Sequence, residues 1–319
     1  MDILLTGSVA YDYLMTFPGL FKEQILPERI ESISLSFLVD SMSRQRGGIA
    51  PNIAYTMALL GEKPRIMATV GEDFADYRTW LDSKGVDTSL MKVIPGEFTA
   101  SFFATTDRAS AQIASFYPGA MGYSATQSLK DHPSKPDLVV VSPSAPDAMM
   151  KFPLECREMG IKYLYDPSQQ VLRLEGSELA RDMDGAYFLF CNDYELGLIS
   201  KKTGWDLAHI LSHVKVVVVT RGKDGANLYT DGQDCFIPTV PEREIVDPTG
   251  VGDAFRGGFL TGYSRGWDWT LCGEVGSLAA VYCLESRGPQ SHAFTKPEFV
   301  ERFRNHFDDK GRLDVLVNR

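Results

Sequence analysis

The 319-residue chain is poor in cysteine and histidine, with five of each. Cys156, Cys191, Cys235, Cys272 and Cys283 form no CxxC pair and mostly sit in apolar runs, so they read as reduced core thiols and exclude a disulfide scaffold or a cysteine zinc site. His209 and His213 are four apart, but no carboxylate or cysteine motif accompanies them, and His132, His292 and His306 are scattered without a legible Ser/His/Asp arrangement. Positive charge is also short: 32 Lys and Arg against 42 Asp and Glu give a net charge of -10. That excludes the basic footprint that nucleic acid or an anionic membrane requires, while a small phosphorylated ligand held by backbone N–H groups stays open. No apolar run approaches the roughly 18 residues of a membrane span, and the start MDILLTGS lacks a basic n-region and a long apolar h-region, so a cytoplasmic protein with no membrane partner is expected. Two nucleotide signatures are missing as well. There is no G-x-x-x-x-G-K-[ST], and Gly250-Val251-Gly252 has neither the third glycine nor the N-terminal strand context of a dinucleotide fingerprint.

What the chain does have is 44% hydrophobic residues, enough for a full core. Short apolar runs bounded by turn residues predict strands at 3–6, 65–70, 138–141, 162–165, 187–190 and 216–220. Helical spacing at 49–60, 77–84, 148–159, 194–201, 252–264 and 271–284 alternates with them. That rhythm implies crossover-linked parallel strands, an α/β fold with a doubly wound, mainly parallel sheet and helices on both faces. Asp231-Gly232 signals a hairpin between 227–230 and 235–239. Residues 13–46 and 98–117 break the rhythm with β-like alternation and predict a small β sheet. It is either a lid over an active site or a decorated sheet edge; residues 1–12, 47–97 and 118–319 form the core.

The sharpest motif is Asp247-Pro248-Thr249-Gly250-Val251-Gly252-Asp253, a turn-rich loop running into a helix. Glycines 250 and 252 let backbone N–H groups approach a ligand, and the helix behind them presents its positive end, so Gly250, Val251 and Gly252 form an anion hole. Asp253 either caps its own helix or serves as a general base for an acceptor hydroxyl; the flanking glycines and Asp247 favour the base. Arg46-Gly47-Gly48-Ile49-Ala50-Pro51-Asn52 is a second turn-to-helix junction, where Gly48 admits a ligand to the backbone and Asn52 can donate to and accept from hydroxyls. Ser8 and Asp12 follow the first strand, at the carboxyl end where open α/β sheets bind ligands. Asn192 and Glu195 share a helix face after another strand. Together they suit Mg²⁺ held through its hydration shell, or a plain N-cap. Thr220, Gly222 and Gly225 end a further strand and suit phosphates, or make an ordinary turn.

These elements, in this order and over essentially the whole chain, resemble the ribokinase/PfkB family of small-molecule kinases. Thr6-Gly7-Ser8, the segments 34–40, 73–78 and 111–121, and Asp166-Pro167-Ser168-Gln169-Gln170 are similar to bacterial adenosine kinases of the mycobacterial type within it. The resemblance implies a ribokinase-like fold and adenosine phosphorylated from ATP with Mg²⁺ to give AMP, a purine-salvage step. Asp253 would activate the ribose 5′-hydroxyl. It implies that Ser8, Asp12, Gly48 and Asn52 hold the ribose, with Ser36 reaching in from the lid. Phe102 and Phe116 would sandwich the base, and Gln169 and Gln170 would touch the nucleoside. Asn192, Thr220, Gly222 and Gly225 would bind ATP, Glu195 would link to Mg²⁺, and 276–284 with Arg287-Gly288 would border the ATP adenine. Pro248 and Val251 depart from the usual family loop and bear on the monovalent cation, such as K⁺, that many relatives bind there. A homodimer through the lid is a further implication. The rival readings are another nucleoside or sugar kinase on this scaffold, and a non-catalytic nucleotide-binding regulator.

Overall fold

The computed structural model describes residues 1–32, 34–131, 134–230 and 232–318; His132 and Asp231 lie outside them. The first strand is a fully buried run. β1 (Ile3–Thr6) is followed by β2 (Ala10–Thr16), β3 (Ser41–Gly47), β4 (Arg65–Val70), β5 (Asp87–Val93), β6 (Ala100–Thr106) and β7 (Gln112–Tyr117). Then come β8 (Leu138–Val141), β9 (Lys162–Tyr165), β10 (Phe188–Asn192), β11 (Val216–Thr220), β12 (Ala226–Thr230) and β13 (Gln233–Ile237).

Nine strands form the main sheet in the order β13-β12-β11-β10-β9-β8-β1-β4-β5. It is parallel from β11 to β5, with β12 and β13 added as an antiparallel hairpin in which Thr230 pairs with Gln233. Strand alternation divides two cores. Ile3, Leu5, Leu138, Val140, Val216 and Val218 face one, packed under helices 49–59, 75–83, 251–264, 269–284 and 296–304. Leu4, Val139, Val141, Val217 and Val219 face the other, under helices 146–159, 176–183, 193–203 and 207–213. Each such fully buried side chain contributes roughly 1.5–3 kcal/mol. Burial on both faces is why these strands read as continuous apolar runs.

The smaller sheet has the order β3-β2-β6-β7. β2 begins at Ala10, so Ala10–Asp12, expected in the core, belong to this sheet. Both of its first strands are rooted in the core without linkers: β2 follows β1 after three residues, and β3 ends at Gly47, two residues before helix 49–59. β1 lies between β8 and β4, the point where the winding reverses and where ligands bind in open α/β sheets.

Candidate active site

Several helices carry their own N-terminal caps. Asn192 with Glu195, Thr295 with Glu298, and Asp268 each accept from backbone N–H groups. Helix 251–264 does not. Its N-cap is Gly250 at φ +79°, with no side-chain cap. Among the described residues no group accepts a hydrogen bond from the N–H groups of Gly252 and Asp253, while Val251 N donates to Pro248 O and Ala254 N to Gly250 O. Open N–H groups at a helix start are what an anion hole consists of. A side chain at 250 would also collide with the neighbouring segment, since a Cβ there would lie 2.3 Å from Pro289 Cβ.

Asp253 stands in the first turn of that helix. Asn52 Nδ2 donates to its Oδ2 at 2.8 Å, bringing together two residues 201 apart in sequence. Burial pushes the Asp253 carboxyl up to about 7. The Arg256 cation and the Asn52 bond oppose that rise, and Asp166 adds to it. A carboxylate poised near neutrality, beside an anion hole, fits a general base.

Arg256 and Asp166 were not assigned roles from the sequence. The pair is almost wholly buried, with Arg256 Nε 2.6 Å from Asp166 Oδ2 and Nη2 3.0 Å from Oδ1. Arg256 Nη1 also donates to Gly252 O at 2.9 Å, which holds the loop from behind. Burial raises the Asp166 carboxyl despite the guanidinium beside it. The spacing of three between Asp253 and Arg256, which puts both on one helix face, is the signal that could have found Arg256.

A single row of paired residues runs across the small sheet. Gln45 of β3 pairs with Asp12 of β2, Asp12 with Phe102 of β6, and Phe102 with Phe116 of β7. Directly paired residues share a face, so all four lie along one line. Asp12 fixes which way that face turns. A Cβ on Gly47 would meet Asp12 Oδ2 at 2.6 Å, and burial, then the negative charge of Asp247, raise the Asp12 carboxyl to about 6. The row therefore looks onto the loop 247–253. Gln45 is a third residue that sequence reasoning missed; no spacing marks it, and only the strand register reveals it.

The remaining expected residues divide. Ser8 Oγ accepts from Ile49 N at 3.2 Å, capping helix 49–59 from a distant loop. Gly48 has φ +97°, and a Cβ there would lie 2.5 Å from Ser8 O, so only glycine fits. Gln170 is buried and donates from Nε2 to Ser144 O at 2.9 Å, with its Oε1 unpaired, whereas Gln169 is exposed. Ser36 is exposed in the irregular stretch 34–40, outside the row.

Asn192, Thr220, Gly222 and Gly225 line up at the carboxyl ends of neighbouring strands β10 and β11. A Cβ on Gly222 would meet nothing within 4 Å, so its backbone borders open space, while Gly225 is pressed against Ile237 O. Glu195 Oε2 accepts from Asn192 N and Asn192 Oδ1 from Glu195 N, a reciprocal cap. Its negative charge still reaches Arg256 and Asp166. Among the described residues no group of three His, Cys, Asp or Glu side chains could hold a metal ion. The Asn192 amide and Glu195 carboxylate suit Mg²⁺ held through waters and phosphate. For a monovalent cation the available carboxylate is Asp247, both of whose oxygens already accept backbone N–H groups, from Thr249 and Gly288, at 2.9 Å.

The model of the family described as pfkB family carbohydrate kinase matches residues 6–296. The chain belongs to this family. It is 31% identical over 312 residues to a nucleoside kinase of Methanothermobacter thermautotrophicus, covering 95% of each protein. Among solved structures it is similar to the nucleoside kinase of Burkholderia thailandensis in complex with inosine, with TM-score 0.85, 37% identity, and coverage of 96% of this chain and 98% of that one. The same Burkholderia kinase is also known with ADP and inosine. A nucleoside kinase of Methanocaldococcus jannaschii, described as an archaeal member of the ribokinase family, has TM-score 0.84 at 25% identity, covering 96% of this chain and 99% of that one. The fold is ribokinase-like, with a large mixed sheet and a small second one. Among the described residues no helix is long and apolar enough to cross a membrane.

Proposed function

We propose that this family member is a purine nucleoside kinase, with adenosine as its leading acceptor, that moves the γ-phosphoryl group of ATP to the 5′-hydroxyl. The observation that carries this reading is the row Gln45–Asp12–Phe102–Phe116 facing the loop of Asp253. Its polar end suits a ribose diol, and its aromatic end suits the face of a purine; a bare sugar has no use for two phenyl rings.

Asp253 orients the hydroxyl and accepts its proton as the new P–O bond forms and the bond from the γ-phosphorus to the β–γ bridging oxygen breaks, so that ADP leaves and the proton stays on the carboxyl. The free Gly252 and Asp253 N–H groups would stabilise the charge that builds on the γ-phosphoryl oxygens. Arg256 keeps that loop in place. Glu195 and Asn192 would hold Mg²⁺ through water, and the ion would supply charge neutralisation on the phosphates. Asn192, Thr220, Gly222 and Gly225 would hold the donor, and Gln170 would approach the base. The lid acts by closing over the pair and excluding water.

Inosine is the second reading, favoured by its presence in the 37% identical Burkholderia structure. ADP release with Mg-ATP and a panel of adenosine, inosine, guanosine, cytidine, ribose and fructose tests both. A higher kcat/KM for adenosine supports the first and for inosine the second; a higher value for ribose or fructose overturns the nucleoside assignment. The sheet's opposite face exposes Met42, Phe103 and Ile113, which supports pairing of two chains through the lid. Sedimentation as a monomer at micromolar concentration would remove that element.

A further inference from the structure

We infer that Gln290 is a positioning residue for the Asp253 base, and that the tripeptide Gly288–Pro289–Gln290 ties the lid to the phosphate loop. Gln290 is buried at 6% exposure. It spends both Nε2 hydrogens, one on Asn52 Oδ1 at 2.8 Å and one on the Tyr77 hydroxyl. The Tyr77 hydroxyl in turn donates to Gly47 O at 3.0 Å, where β3 leaves the lid and helix 49–59 is about to begin.

The consequence is chemical. Because Gln290 donates to Asn52 Oδ1, the Asn52 amide cannot turn over, and its Nδ2 stays aimed at Asp253 Oδ2. A reversed amide would set a carbonyl oxygen against the carboxylate, which has no hydrogen to share unless it is protonated and therefore useless as a base. Gln290 thus acts through Asn52 on the protonation state of Asp253. Its own Oε1 is left without a partner in the interior, a cost that a position kept for packing alone would shed through an apolar side chain.

The two preceding residues extend the link. Pro289 packs on Gly250, and Gly288 N donates to Asp247 Oδ2 at 2.9 Å. Gly288 also faces the lid row, since a Cβ there would lie 2.7 Å from Gln45 Oε1. Three consecutive residues therefore contact the lid, the anion loop and the partner of the base.

The inference rests on Asp253 being the base. The charged and titratable groups around Asp253 are Arg256 on its own helix, Asp166 beyond β9, and the Cys283 thiol of helix 269–284, which burial pushes up to about 12. His292, two residues past Gln290, is held neutral by burial, with its pKa lowered to about 4. Asp12 titrates on the acceptor side, so the limb that matters is read in kcat at saturating acceptor.

The test uses the full chain with Mg-ATP and either adenosine or inosine, following ADP release from pH 5 to 9. Gln290→Met, which keeps the volume, is expected to lower kcat roughly ten- to a hundredfold. It should also move the acid limb of kcat up by about one pH unit. Gln290→Glu cannot donate to Asn52 and must show at least the same loss, which keeps the test decisive if the Met variant does not fold. Tyr77→Phe cuts only the branch to Gly47, so the acid limb stays in place while the KM for the acceptor rises. A Gln290→Met or Gln290→Glu enzyme with unchanged kcat and an unchanged acid limb overturns the inference. Retained activity in Asp253→Asn would instead overturn the base assignment, so the two failures are distinguishable.

Discussion

Replacing Asp253 by asparagine should abolish turnover and at the same time make the protein more stable. The carboxyl is raised from 3.8 to about 7, with burial as the main cause, so the folded state holds its proton more tightly than the unfolded chain does. For a group raised in this way, stability is fully present below the unfolded value and is lost as pH rises through the folded one. The gap is worth up to about 4 kcal/mol of destabilisation above pH 7, at about 1.4 kcal/mol per pH unit. Asparagine has the same shape, still accepts from Asn52, and carries no charge. Asp253→Asn should therefore gain up to about 4 kcal/mol at pH 8 and less than half of that near pH 5. The assay is thermal melting of both proteins at the two pH values, paired with ADP release. A gain of that size corresponds to roughly 5–10 °C at pH 8 in a chain of this length. Equal melting temperatures at pH 8, or a lower one for the variant, would refute the claim that the folded protein holds a destabilised carboxylate there.

Arg256→Met leaves Asp166 buried without its cation and should cost about 3–5 kcal/mol, read by denaturant melts. Adding Asp166→Leu should recover most of that stability but not kcat, because Gly252 O still lacks its donor. Gly250→Ala forces a side chain into a left-handed residue and against Pro289, and should lower both stability and kcat, the stability loss read from denaturant melts as about 1–3 kcal/mol. Phe116 is 45% exposed, so Phe116→Ala should leave melting within about 0.5 kcal/mol of the parent while raising the KM of a nucleoside acceptor.

How much of this was legible in the sequence follows from where each signal lives. β1, β4, β8, β9 and β11 lie where the apolar runs predicted them, because strands buried on both faces announce themselves. β10 extends two residues further than expected, to Asn192, whose side chain caps the next helix. β5 was missed because Asp87–Val93 buries only Thr88 and Met91 and reads as polar. Asp253, Asn52 and Asp12 stood out through glycines and strand ends. Arg256, Gln45 and Gln290 did not, since their partners are Asp166, a strand register and Asn52, the first and last lying 90 and 238 residues away in the chain. Ser36 and Gln169 came only from family likeness, and both side chains face solvent here.

The pairing row of the small sheet has an evolutionary consequence. The groups proposed to handle phosphate sit on the ends of core strands and on the start of helix 251–264, which the two large hydrophobic cores hold in place. The row proposed to meet the acceptor occupies four paired positions on a thin sheet with little interior of its own. Substitutions at those four positions can retune which alcohol is accepted without disturbing the cores or the phosphoryl-transfer apparatus. On this architecture acceptor preference is free to drift quickly while the chemistry stays still.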